Sequence, residues 1–144
     1  MLHSLFLASR PMTLGVRAIA LDFEDRVLLV RHTYVEGWWL PGGGVEAGQT
    51  SADALQRESR EEANCVLAEP PTLLSVHLNR IASRRDHVMV YVCRNVSQSE
   101  PKKADLEVTH AEFFALDNLP SDINPASGRR LREFLEGSPP DPYW

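Results

Sequence analysis

Apolar runs separated by polar turns predict five strands along the chain. Two β-rich runs, residues 16–21 and 27–32, flank an acidic turn and predict a hairpin. Two further runs, residues 73–79 and 87–96, are joined by a polar, basic segment and predict a second hairpin. A short run at residues 112–116 predicts one more strand.

Two segments with helical signals lie among these strands. The first begins after a loop, residues 36–50, which has too many glycines for regular structure. Thr50 can cap the helix, Asp53 resembles the second member of a capping box, and Asn64 is a suitable left-handed stop. The second helix is predicted at residues 127–137, which end on a glycine. Strands mixed with two helices predict an α/β fold in which helices cover a mixed sheet.

The first helix carries three glutamates close to its apolar stripe. With a turn of about 100° per residue, Glu62 lies about 20° from Leu55, and Glu58 and Glu61 lie at the edge of the same stripe. The remaining packing positions lie within about 80° of Leu55 and are mostly small: Ala52, Ser59, Ala63 and Val66. A carboxylate so near a buried face needs a partner, because an isolated charge away from water is costly.

Two interpretations explain the glutamate cluster. In the first, it is a solvated charged face that Arg57 and Arg60 screen through weak surface pairs. In the second, it binds a hard cation, because Mg²⁺ prefers oxygen ligands and typically combines a few carboxylates with water and substrate phosphates. The glycine-rich loop before the helix offers carbonyl ligands and lets a phosphate chain approach closely. This combination favours the cation.

The same stretch resembles the Nudix box. In that pattern a glycine is followed after five residues by a glutamate, and after seven more residues by Arg-Glu-apolar-any-Glu-Glu-any-Gly-apolar. Six positions of this chain match the pattern: Gly43, Arg57, Glu58, Glu61, Glu62 and Cys65. The flanking segments WWLPGG and EFFALDNLP are also similar to the family, so the resemblance extends from about residue 14 to residue 135. It implies a Nudix-like α/β/α sandwich with a mixed β-sheet between helices.

The resemblance also implies an activity and a cofactor. Nudix enzymes hydrolyse the diphosphate linkage of a nucleoside diphosphate derivative with Mg²⁺ or Mn²⁺, so we expect a nucleotide sugar, ADP-ribose or a (d)NTP as substrate. The metal ligands are expected to be Glu58 and Glu62, with Glu61 sharing a second ion and the Gly43 carbonyl completing the shell. The expected catalytic residues are Arg57, Glu58 and Glu61, with a further glutamate beyond the box, either Glu107 or Glu112.

Three positions depart from the pattern. Asn64 replaces a glycine, which is mild because Asn tolerates the left-handed conformation. Ser59 replaces an apolar residue and can bond back to the preceding turn. Gln49 replaces a glutamate, so the site loses one negative charge and a charged partner for Arg57, although the amide oxygen can still accept a hydrogen bond.

Five residues are expected to bind substrate. Arg84 and Arg85 offer planar forks to phosphate oxygens, although arginines at a hairpin tip are more often simply exposed. Trp38 and Trp39 can stack on a nucleobase, and one of them is more suited to the core. Gly42 belongs to the loop that lets the phosphates approach.

Composition bounds the other possibilities. A chain of 144 residues, 43% of them hydrophobic, predicts one domain over residues 1–144, with an N-terminal extension at 1–13 and a proline-rich tail at 138–144. The net charge of −5 argues against extended contact with nucleic acid or with an anionic membrane. Two cysteines without metal-ligand spacing, and the lack of a convincing signal peptide or membrane span, predict a soluble cytoplasmic protein.

Two alternatives to a small-molecule hydrolase remain. One is a catalytically weak Nudix-fold module that binds nucleotides, because Gln49 removes a charge from the site. The other is an RNA 5′-end pyrophosphohydrolase, which the acidic net charge disfavours. No substrate-specific family signature is present in the sequence, and both a monomer and a homodimer remain open.

Overall fold

A computed structural model describes residues 2–144 of the chain. Within these residues there are three helices and eight strands. In chain order they are α1 (Leu2–Ser9), β1 (Thr13–Ala20), β2 (Val27–His32), β3 (Gly42–Gly44), α2 (Ser51–Ala63), β4 (Cys65–Val66), β5 (Thr72–Leu78), β6 (Asp86–Cys93), β7 (Ser97–Gln98), β8 (Val108–Phe114) and α3 (Pro125–Glu136).

Strand pairing produces one large mixed sheet and two small antiparallel ones. The large sheet has the order β3-β1-β6-β5, in which β1 runs parallel to β6 and the other neighbours are antiparallel. Strands β2 and β8 form the second sheet, and β4 and β7 form the third. The predicted mixed sheet and the predicted β5–β6 hairpin are therefore confirmed.

The predicted hairpin of β1 and β2 is wrong. The two runs share an isolated bridge between Leu21 and Val27, after which β2 pairs with β8 in the second sheet. The turn between them is held by Asp22, whose carboxylate accepts hydrogen bonds from the main-chain nitrogens of Glu24 and Arg26. Both runs are almost continuously apolar, so their pattern shows that they are buried and does not specify which strand lies beside them.

Helices cover both faces of the large sheet. On one face, α2 buries Leu55 and Ala63 against Val16 and other β1 residues. On the opposite face, Leu131 of α3 packs against a cluster that includes Ile19. This arrangement is the expected α/β/α sandwich. No residue of α1 is buried, and none of the helices in residues 2–144 is long and apolar enough to cross a membrane.

The ends of α2 agree with the sequence signals. Thr50 Oγ1 accepts a hydrogen bond from the Asp53 main-chain nitrogen at 3.1 Å. Asn64 adopts the left-handed conformation with φ 55° and donates its N–H to the Arg60 carbonyl. Because the helix ends there, Val66 lies in β4 and is 46% exposed, so its predicted place on the packing face of α2 is wrong.

Candidate active site

Glu62 is a carboxylate at the buried face of α2. Its residue is only 6% exposed, as its position beside Leu55 predicts. The Gly42 N–H donates a hydrogen bond to Glu62 Oε2 at 3.4 Å. Burial raises the pKa of Glu62 to about 8, the nearby charge of Arg17 opposes this shift, and Glu58 adds to it through repulsion and a hydrogen bond. A positive charge at this position would therefore relieve a real electrostatic cost.

Glu58 lies against the glycine loop. A Cβ atom added to Gly43 would stand 2.5 Å from Glu58 Oε1, so the missing side chain leaves the space that the carboxylate fills. A Cβ on Gly42 would overlap the Val16 carbonyl oxygen. The glycines therefore serve close packing, on one side against the sheet and on the other against the glutamate.

Arg57 connects α2 to the glycine loop. Its Nη2 donates to Glu58 Oε1 at 2.9 Å and to the Gly44 carbonyl at 3.2 Å. Gln49 Oε1 accepts from Arg57 Nη1 at 3.4 Å and from the Glu46 main-chain nitrogen at 3.2 Å. Gln49 thus keeps the acceptor role expected for it, and Glu46 supplies a carboxylate 3.5 Å from Arg57.

The donor set suits a hard divalent cation. Glu58 and Glu62 bring oxygen ligands together beside the main chain of Gly43, with no sulfur or imidazole among them. Glu61 is exposed, and its charge acts on Arg57. Among residues 2–144, no three His, Cys, Asp or Glu side chains already form a metal-binding group. A cation held here would therefore need carbonyl, water or substrate oxygens as further ligands, which is usual for Mg²⁺.

Arg17 joins this site although the sequence reasoning did not select it. Its Nη1 donates to the Leu40 carbonyl at 2.9 Å, and its guanidinium carbon lies 6.0 Å from the centre of the Trp39 ring. Its charge stabilises ionised Glu62 and opposes protonation of His32. The available signal was a single arginine inside the apolar run of β1.

One side of the site consists of the end of β2 and the loop that follows it, which carry His32 and Tyr34. Burial lowers the pKa of His32, and its Nδ1 atom is buried without a hydrogen-bond partner in residues 2–144. Tyr34 is exposed at the rim, and partial desolvation together with the charge of Glu62 raises its pKa. The sequence reasoning missed both residues, and no local pattern distinguishes them.

Of the two candidate glutamates beyond the box, only Glu107 lies near this site. Its charge acts on both His32 and Tyr34, and its main-chain oxygen accepts a hydrogen bond from the Thr33 N–H at 2.9 Å. Glu112 is exposed on β8, opposite Leu29, and makes no hydrogen bond or ion pair through its side chain within residues 2–144. The geometry therefore favours Glu107 as the additional carboxylate.

The two adjacent tryptophans have different environments. Trp38 is 8% exposed and packs edge-on against Phe114, so it belongs to the core, as expected for one of the pair. Trp39 lines a cavity of about 330 Å³ together with Trp144. Trp39 also lies 6.0 Å from the guanidinium carbon of Arg17, the residue whose charge acts on Glu62, although no carboxylate lines the cavity itself.

The cavity carries polar groups as well as the two indoles. Asn124 Oδ1 accepts from the Ser127 N–H at 3.0 Å, and its amide nitrogen has no partner in residues 2–144. Asn79 Nδ2 donates to Asp86 Oδ2 at 3.1 Å, and its amide oxygen is likewise without a partner in that range. The cavity thus combines aromatic surface with side-chain donors and an acceptor that have no partner in residues 2–144, and Arg129, which also lines it, uses only Nη2 in a hydrogen bond to the Trp144 carbonyl; stacking surface and polar groups together suit a nucleobase.

Arg84 and Arg85 lie in a different place from the carboxylates. They occupy the turn between β5 and β6 and line a depression of about 570 Å³ with Arg10. Neither residue makes a hydrogen bond or an ion pair with the glutamates of α2 in the described chain. The structure therefore does not bring these two arginines together with the other predicted site residues.

Comparison with known proteins agrees with the resemblance noted in the sequence. The model of the NUDIX domain family matches residues 11–134. The 8-oxo-dGDP phosphatase of Homo sapiens is 35% identical over 113 residues, which cover 75% of this chain and 34% of that protein. The ADP-ribose pyrophosphatase of Methanocaldococcus jannaschii is 33% identical over 104 residues, covering 69% of this chain and 60% of that protein.

A solved structure is also similar. The crystal structure of a MutT NUDIX hydrolase from Burkholderia pseudomallei superposes with a TM-score of 0.69 at 29% identity, and covers 83% of this chain and 95% of that one. In contrast, the chain spans only about a third of the human relative's length. The comparison with that relative therefore concerns this one segment of a longer protein.

Proposed function

Because the chain belongs to the NUDIX domain family, we propose that it is a pyrophosphohydrolase that cleaves the diphosphate linkage of a nucleoside diphosphate derivative with the help of Mg²⁺ or Mn²⁺. One observation carries this proposal. Glu58 and Glu62 are held side by side against a glycine loop, where burial raises the pKa of Glu62 to about 8. A pair of carboxylates kept in so unfavourable a place is expected of a cation site.

In this proposal Glu58 and Glu62 hold the cation together with the Gly43 carbonyl, and Glu61 shares a second ion. A bound cation would neutralise phosphate oxygens and lower the pKa of a coordinated water. Arg57 fixes the direction of the Glu58 carboxylate through its 2.9 Å hydrogen bond. The exposed position of Glu61 leaves it free to turn toward an arriving substrate.

The reaction transfers a phosphoryl group to water. Water forms a bond to phosphorus, the bond from phosphorus to the bridging oxygen breaks so that this oxygen leaves with the second phosphate, and a proton of the water passes to a carboxylate. We propose three candidates for the carboxylate that accepts this proton. Glu58 lies in the cluster, Glu61 lies at its edge, and Glu107 lies beside His32. Arg17 is proposed to donate hydrogen bonds to phosphate oxygens from the opposite side.

The cavity between Trp39 and Trp144 is proposed to hold the base. Its volume of about 330 Å³ is at the lower end of the range for small-molecule sites. The indoles provide stacking surface, and Asn79 and Asn124 provide an acceptor and a donor. Both named relatives act on nucleoside diphosphate compounds, so 8-oxo-dGDP and ADP-ribose are the first two substrates to test.

A substrate panel tests the proposal. Purified protein is incubated with 8-oxo-dGDP, ADP-ribose, nucleotide sugars, dinucleoside polyphosphates and nucleoside triphosphates, with Mg²⁺ or Mn²⁺, and the products are separated by chromatography. We expect cleavage at the diphosphate linkage that the double variant Glu58→Gln/Glu62→Gln does not perform. If the wild type cleaves none of these compounds yet binds one of them in equilibrium dialysis, the protein is a binding module.

A further inference from the structure

A positively charged depression lies at the start of β1, outside the proposed active site. The turn between β5 and β6 meets the chain just before β1, where the Thr13 N–H donates to the Arg85 carbonyl at 3.0 Å. The depression formed there has a volume of about 570 Å³. We call it the arginine basin, and its lining residues are Ser9, Arg10, Met12, Ser83, Arg84 and Arg85.

The three arginines of the basin are not neutralised by carboxylates. Arg85 Nη1 donates to the Pro11 carbonyl at 3.1 Å, so its guanidinium is held by a neutral group. The guanidinium carbon of Arg10 lies 4.8 Å from the centre of the Phe6 ring. Arg84 is exposed and makes no hydrogen bond or ion pair through its side chain within residues 2–144. No acidic residue lines the basin.

The basin differs from its surroundings in charge. The net charge of the chain is −5, and several arginines elsewhere pair with carboxylates, for example Arg26 with Asp22 and Arg130 with Glu133, whereas the basin brings three arginines without such a pair in the described chain to one depression. Three guanidinium groups around one depression create a local positive potential, and each guanidinium presents a planar fork that matches phosphate oxygens. The Ser83 hydroxyl accepts the Arg85 N–H at 3.0 Å and keeps its own proton to donate.

We propose that the arginine basin binds a phosphate-bearing anion, separately from the carboxylate site. Two sources share this chemistry, namely a soluble polyphosphate and the headgroup of an anionic phospholipid. The second source has structural support because α1 beside the basin exposes apolar side chains, with Leu5 62% and Phe6 45% exposed. The proposal does not depend on hydrolysis, since it requires only that the arginines hold phosphate oxygens.

The soluble source is tested with inorganic tripolyphosphate in buffer without divalent metal, where the α2 carboxylates repel the probe. Binding is followed by calorimetry and by backbone amide shifts at residues 9, 10, 12, 13 and 82–86. We expect saturable binding that Arg84→Gln weakens about tenfold, the loss expected for one hydrogen bond between charged groups. Arg132→Gln is the matched control, because Arg132 is also exposed and without an ion pair in the described chain but lies on α3, outside the basin.

The lipid source is tested by co-sedimentation with phosphatidylglycerol vesicles, with phosphatidylcholine vesicles as the neutral control. If the basin takes a headgroup, wild type sediments with the anionic vesicles only, and both Arg84→Gln and Leu5→Ser reduce the bound fraction. If neither tripolyphosphate nor anionic vesicles bind, or if Arg84→Gln and Arg132→Gln lose the same amount, the proposal is wrong. All readouts are binding measurements, so an inactive enzyme would leave this result unaffected.

Discussion

Replacing Gly43 by alanine tests the proposed site most directly, because the change acts on one carboxylate. A Cβ at this position would lie 2.5 Å from Glu58 Oε1 and 2.6 Å from Glu58 Cδ, whereas ordinary contact begins at 3.4 Å. The Glu58 carboxylate must therefore retreat by about 1 Å, and a misplacement of this size in a catalytic constellation costs on the order of 10²-fold in rate.

The fold should tolerate the same substitution. The backbone of Gly43 does not have a positive φ, and the atoms that an alanine would meet belong to the end of a flexible side chain. We therefore expect a change in unfolding free energy within about 0.5 kcal/mol, or a shift in melting temperature of about 2 °C or less.

Gly44→Ala provides the matched control. Gly44 is the next residue of β3, also without a positive φ, and a Cβ there would meet nothing within 4 Å. The assay is kcat/KM with Mg²⁺ on whichever substrate the panel identifies, together with thermal unfolding of both variants. Equal kcat/KM for the two variants would refute the reasoning. A large loss of melting temperature in Gly43→Ala would mean that the fold, and not the position of Glu58, was disturbed.

The remaining predictions concern charge. Glu62→Gln should lower kcat by on the order of 10²–10⁴, because it removes a ligand of the proposed cation. The metal-free melting temperature should be unchanged or higher, because the pKa of Glu62 is raised to about 8 and the neutral amide never has to carry a charge in this buried place. A rate within threefold of wild type would contradict this. Millimolar Mg²⁺ or Mn²⁺ should raise the melting temperature by several degrees, because a ligand at a hundredfold excess over Kd stabilises the folded state by about 2.7 kcal/mol. Sodium at matched ionic strength should give no such shift, and the double variant Glu58→Gln/Glu62→Gln should abolish the difference between the two salts. Gln49→Glu should lower the Mg²⁺ concentration for half-maximal activity, because a carboxylate at position 49 would compete for Arg57 and leave Glu58 more available to the metal. Superimposable metal titrations of the variant and the wild type would show that the substitution has no effect on metal binding. Burial lowers the pKa of His77 below its ordinary 6.5, so its full contribution to the free energy of unfolding should be present above pH 6.5. As the pH falls below 6.5, the free energy of unfolding should decrease by at most about 1.4 kcal/mol per pH unit on account of His77. Urea unfolding of His77→Gln at several pH values should lack this contribution to the pH dependence.

Features that depend on near neighbours in the chain were predictable from the sequence. The limits of α2 follow from a threonine cap at Thr50 and a left-handed Asn64, and both are found in the structure. Glu58 and Glu62 are four residues apart, so the helix itself places them on one face. The burial of Glu62 followed from its angle to Leu55. Each of these inferences depends on contacts within one or two helical turns, which helix geometry alone specifies.

Contacts between distant segments were decided by the tertiary structure. The apolar pattern predicted that β2 is buried, but only packing of the whole chain could place it beside β8 instead of β1. Arg17 reaches the site because it lies in the middle of β1 opposite Gly42 of β3, and His32 because it ends β2. Trp144 reaches the cavity of Trp39 because the tail lies beside β5. Side-chain type and spacing specify what a residue can bind, whereas its neighbours across the sheet depend on the packing of every other element.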